Sequence, residues 1–147
     1  DNVLLQHYLD VADTPVAKLC DFGLGKKLGA DGRTNTPLLP SWYQPGVWHA
    51  PEIADNAEHG CPADTFAFGS LMVDLVLGVD DIVDRWPILR LCEDLTALTD
   101  RVMLAFVMQS CLQEEASDRP EMAIVLGWMG SRVTESEFQE VHSYMAR

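Results

Sequence analysis

Apolar positions along this chain gather into separated runs whose spacing predicts the elements one by one. Residues 2–5, with Val3-Leu4-Leu5, and residues 16–20 are two short runs. The polar connection from Gln6 to Pro15, with its Asp13-Thr14-Pro15, predicts a β-hairpin between them. From Gly23 to Ala50 follows a stretch with five glycines, three prolines and no period. A connection of that length inside a domain is usually functional or disordered. Helical runs come next. Thr65 to Leu77 carries Phe66, Phe68, Leu71, Met72, Val73, Leu75, Val76 and Leu77 on every side of a helical wheel. With Asp64 as cap and Gly78 as stop, it predicts a helix buried on all faces. Asp100 to Leu112 is similarly apolar, with Thr99 or Asp100 as N-cap. Ser117-Asp118-Arg119-Pro120-Glu121 then sets a cap and an early proline before a helix over Met122 to Met129. Thr134-Glu135-Ser136-Glu137 is a capping box, and residues 131–147 read as a C-terminal amphipathic helix with Phe138, Val141 and Met145 on one face. The predicted class is α+β, mainly α, with one small hairpin.

Composition narrows this. A chain of 147 residues, 48% hydrophobic and with four tryptophans and five phenylalanines, has the material for one packed domain or part of one. The net charge of −13, from 23 acidic against 10 basic residues, repels polyanions, so neither nucleic acid nor an anionic membrane is an expected partner. No apolar run approaches a membrane span, and Asp1-Asn2-Val3 lacks the basic start of a signal peptide. Cys20, Cys61, Cys92 and Cys111 form no C-x-x-C pair, so structural thiols in a reducing cytoplasm are expected. Because Asp1 leads straight into an apolar run, the chain is expected to be a piece of a longer protein.

Chemistry starts at Asn2 and Asp21, which the hairpin brings near each other at the ends of their strands. An amide oxygen and a carboxylate suit magnesium, a hard cation that takes oxygen ligands and completes its shell with phosphate and water. Alone, an aspartate after a strand is more often a turn residue. Further signals follow in order: Asp21-Phe22-Gly23, Ala50-Pro51-Glu52, Asp64 opening a helix with Phe68-Gly69, Cys111, and Arg119-Pro120. This succession, from Asn2 to about Met129, resembles the C-terminal lobe of a protein kinase.

The resemblance implies a partial kinase domain over residues 1–130, with the N-terminal lobe absent and an activation segment over 21–52. Asn-Val-Leu-Leu resembles the end of the catalytic loop, making Asn2 the ligand of a second magnesium and Asp21 the ligand that bridges magnesium to the phosphates of ATP. Glu52 and Arg119 match an ion pair anchoring the activation segment, and Asp64 matches a helix-capping aspartate holding the catalytic-loop backbone. Pro45-Gly46-Val47-Trp48-His49 resembles the tyrosine-kinase or tyrosine-kinase-like pattern, placing Pro45 and Trp48 where substrate meets the activation segment. Thr34, Thr36, Ser41 and Tyr43 are then candidate phosphosites, with Arg33, Lys26 and Lys27 as local counter-charges. Gly23-Leu24-Gly25-Lys26-Lys27-Leu28-Gly29 narrowly misses G-x-G-x-x-G at Leu28 and reads as the start of that segment. His7, His49, His59 and His142 show no ligand spacing.

Departures qualify the picture. The family's H-R-D-x-x-x-x-N puts the base aspartate five residues before the asparagine, so it is not among these residues. The Gly-rich loop, strand lysine and helix glutamate are also missing. Ala116 replaces a usual proline, and Gly78 to Thr99 is shorter than the family's docking region. The implied parent transfers the ATP γ-phosphoryl to a protein hydroxyl. This fragment alone is expected to be inactive and, with its lobe interface uncovered, to self-associate. The alternative is a non-catalytic, pseudokinase-like binding or scaffold module.

Overall fold

The computed structural model describes residues 2–6, 16–35, 46, 48–77 and 102–130. Strand β1 (Val3–Gln6) pairs antiparallel with β2 (Val16–Leu19), Val3 opposite Leu19 and Gln6 opposite Val16. The predicted hairpin is present, each strand within a residue of its expected bounds. Both strands are exposed along their whole length, Leu19 at 69%. A two-stranded ribbon is marginal in water by itself, so these apolar faces need cover to be stable.

A second ribbon adds to the expected hairpin. Strand β3 (Arg33–Thr34) pairs with β4 (His59–Gly60), Arg33 opposite Gly60 and Thr34 opposite His59. Two residues per strand are too few to leave a period of two in the sequence. Between these strands lies α1 (Pro51–Ala54), entered through Ala50 at φ −60° and ψ 150°. Pro51 explains both features: its ring drives the preceding residue into extended backbone, and its own fixed φ suits a first helical position.

Helix α2 (Cys61–Leu77) begins four residues before the expected start. Asp64 is therefore a first-turn residue and not the cap: Pro62 fits the first turn, and the Asp64 carboxylate lies at the positive end of the helix dipole. Nor is α2 buried all round. Thr65, Phe66, Gly69, Ser70, Met72 and Val73 are buried, whereas Ala67 is exposed and Leu75 is 75% exposed. An apolar sequence permits burial, but only packed neighbours supply it, and the buried side of α2 is the side that meets α3 (Val102–Cys111). The latter is the central helix, with Ala105, Phe106, Val107, Met108 and Cys111 all buried.

After a 3-10 turn (Ala116–Asp118), α4 (Met122–Gly130) packs Val125 into the core and Trp128 edge-to-face on Phe106, ring centroids 4.9 Å apart. Ile124, Leu126 and Met129 face outward. The expected 131–147 helix, the cap at Thr99 or Asp100 and the short Gly78–Thr99 connection lie outside the described residues. What the structure describes is mainly helical, with two small two-stranded sheets.

Helices α2 and α3 come close at Gly69, where an added Cβ would stand 2.7 Å from Cys111 Cβ and 3.1 Å from Leu112 Cγ. Gly69→Ala gains about 1 kcal/mol of helix propensity. It also forces apart two packed helices, an overpacking that costs roughly 1–3 kcal/mol. The expected result is a lower urea midpoint at unchanged slope, whereas a midpoint at or above wild type would mean that the helices separate cheaply.

Candidate functional site

The hairpin register carries Asn2 to the end of β2, where the Cys20 N–H donates to Asn2 O at 2.9 Å. Asp21 follows at φ +59°, in the left-handed region that few residues other than glycine adopt and that aspartate tolerates best along with asparagine. This backbone turns the chain out of the strand and leaves the carboxylate exposed. Asp21 Oδ1 accepts a long hydrogen bond of 3.3 Å from the Gly23 N–H. The Gly25 N–H closes the next turn on Phe22 O at 2.9 Å, with Phe22 and Leu24 outward. The donor set, one exposed carboxylate beside one exposed amide residue, fits magnesium with phosphate and water completing the shell. Among the described residues no group of three or more His, Cys, Asp or Glu stands together.

Glu52 and Arg119, 67 residues apart, meet in a bidentate pair: Arg119 Nη1 donates to Glu52 Oε1 at 2.6 Å and Nη2 to Oε2 at 2.9 Å. The Arg119 side chain is wholly buried and that of Glu52 is 12% exposed. The remaining guanidinium donors reach Gln113 O at 2.7 Å, Pro62 O at 3.1 Å and Glu114 O at 2.8 Å, and the Phe66 ring lies 5.0 Å from Cζ. All five N–H donors are therefore used. Burial pushes the Glu52 carboxyl upward, but the hydrogen bonds from Arg119 and its own backbone, with the charges of Arg119 and His59, outweigh it. The carboxyl ends below its ordinary range.

Trp48 is exposed and tilted against His49, ring centroids 5.7 Å apart, and its indole covers Gly46 so closely that a Cβ there would strike it. The Gly46 N–H donates to His49 Nδ1 at 3.0 Å, and burial lowers the His49 titration. Thr34 is half-buried in β3. Arg33, expected to serve the phosphosites, is engaged elsewhere: its Nη1 pairs with Glu58 Oε2 at 2.9 Å. Lys26 and Lys27 are exposed. Thr36, Ser41, Tyr43 and Pro45 lie outside the described residues. Glu58 and His59 were not singled out as partners by sequence, and a charge 25 positions from Arg33 leaves no local signal. Cys20, Cys61 and Cys111 are free thiols, and burial pushes Cys111 up to about 11, making it inert.

A helical core clamped by an arginine–glutamate pair, with an exposed acid at a left-handed turn following a small hairpin, has the form of a kinase C-terminal lobe. The chain belongs to the protein kinase family: the family model for protein tyrosine and serine/threonine kinase matches residues 1–128. Among curated proteins it is similar to a G-type lectin S-receptor-like serine/threonine-protein kinase of Arabidopsis thaliana, at 28% identity over 88% of this chain and 17% of that protein. It is also similar to cyclin-dependent kinase-like 2 of Rattus norvegicus, at 33% identity over 46% of this chain and 13% of that protein. The chain thus spans less than a fifth of the length of these relatives. No solved structure matches it. No helix among the described residues is long and apolar enough to cross a membrane.

Proposed function

We propose that these residues are the C-terminal lobe of a kinase domain, spanning about 1–130, whose complete form transfers the γ-phosphoryl group of ATP to protein serine, threonine or tyrosine hydroxyls. The exposed Asp21 carboxylate, fixed at its left-handed turn beside Asn2, carries this reading. Asp21 and Asn2 would hold magnesium, whose charge neutralises the phosphate oxygens during transfer. Glu52, tied to Arg119, fixes the far end of the segment that begins at Asp21, so the stretch between them is tethered at both ends. Trp48, exposed just before that anchor, would meet a protein substrate.

The 147-residue chain by itself should transfer nothing, since the base and the nucleotide-covering lobe are not among its residues. Its exposed Leu4, Leu5 and Leu19 are the surface that the upstream lobe would cover, and without it the fragment should self-associate. The free thiols agree with residence in the cytoplasm.

A second reading, a binding module without catalysis, is favoured by Ala116 in the turn before Arg119 and by the shortened stretch after α2. Melting the protein with its native upstream residues separates the two. Magnesium with ATP should raise the midpoint of a nucleotide-binding kinase through preferential binding to the folded state. An unchanged midpoint would favour the binding module.

A further inference from the structure

Between its two anchored ends, the segment that starts at Asp21 is caught once more in the middle. The Gly29 N–H donates to Arg33 O at 2.8 Å and the Gly32 N–H to Gly29 O at 3.0 Å. The Arg33 N–H bonds Asp31 Oδ1 at 3.1 Å, and Gly32 sits at φ +75°, a value glycine adopts freely. These contacts close a tight loop whose outgoing limb, β3, lies on β4. The two limbs approach so closely that a Cβ on Gly60 would strike Gly32 O. Within β4 His59 is only 8% exposed, its Nδ1 bonded to Ala57 O at 2.9 Å and its Nε2 buried without a hydrogen-bond partner among the described residues. Outside, Arg33 and Glu58 form an ion pair whose side chains are 63% and 41% exposed.

We infer that residues 29–35 are a strap fastened onto residues 58–60, and that the Arg33–Glu58 pair is its releasable catch. The ribbon has only two residue pairs, so it opens without disturbing the helical core. The catch is exposed, so it shifts the balance between open and closed severalfold instead of locking it, and salt weakens it. Opening presents Thr34 to solvent and uncovers His59, while Asp21 and Glu52 keep their places. The strap exists whether or not the parent transfers phosphate, so the two readings fail separately.

Hydrogen–deuterium exchange of the whole chain at low ionic strength tests this. In Glu58→Arg, which sets like charges against each other, peptides covering residues 29–35 and 57–60 should exchange about threefold to tenfold faster than in wild type. The swap Arg33→Glu with Glu58→Arg should return them to the wild-type rate, with α3 peptides unchanged in both. Wild-type exchange in Glu58→Arg would overturn the catch, as would failure of the swap to restore it. Equal acceleration in α3 would show general destabilisation and overturn the strap as a separate unit.

Discussion

Arg119→Lys should destabilise the lobe by about 2–4 kcal/mol, although it conserves charge, and Arg119→Ala by roughly 3–5 kcal/mol, the range for breaking a buried pair. The reason is geometric. Arginine uses five donors here, on both Glu52 oxygens and on the carbonyls of Gln113, Pro62 and Glu114. Lysine offers three donors from one point and cannot be bidentate, so at least two buried acceptors lose their partner. It also loses the guanidinium's contact over the Phe66 ring. Replacing both partners by apolar residues, Glu52→Leu with Arg119→Met, should cost less than Arg119→Ala, because no charge is left stranded. Urea unfolding reads all three variants, and a loss below about 1 kcal/mol for Arg119→Ala would reduce this contact to an ordinary surface pair.

The pH dependence has a definite sign. Glu52 titrates below its ordinary 4.5 in the folded chain, so its stabilisation is present above that value and is lost as pH falls through the folded one. Arg119→Ala removes the partner and leaves burial, which raises the carboxyl. The gap between wild type and variant is therefore widest at neutral pH and narrows in acid.

Asp21→Asn, made in the complete domain, should cut phosphoryl transfer by about a hundredfold or more, the effect of losing several kcal/mol of metal-borne charge stabilisation. Asparagine is the informative substitution. It accepts the left-handed backbone at φ +59° about as readily as aspartate, so the change removes charge without adding strain. The side chain is exposed, and the melting temperature without ligand should barely move. A variant that is folded and still transfers phosphate at the wild-type rate would remove Asp21 from the reaction.

The hairpin was legible because Val3-Leu4-Leu5 and the run ending at Leu19 each have the length and composition of a strand. Helix α4 was legible through Pro120 and its apolar run. Burial was not: α2 and α3 are both apolar all round, and only their packing makes α3 central and leaves Leu75 outside. The start of α2 was misread because an aspartate such as Asp64 suits a first turn as well as a cap. Glu52 and Arg119 carry no local pattern across 67 positions and were paired only through resemblance. The strap escaped altogether, since two-residue strands and an ion pair 25 positions apart leave no periodic trace.

The central claim is that this lobe belongs to a working phosphotransferase. Its most direct test is transfer of labelled γ-phosphate from ATP to protein hydroxyls by the longest native form of the chain, with and without magnesium. Magnesium-dependent transfer, absent from the isolated 147-residue chain, is the result expected. A folded full-length protein that neither binds magnesium–ATP nor transfers phosphate would contradict the claim and leave the binding module in its place.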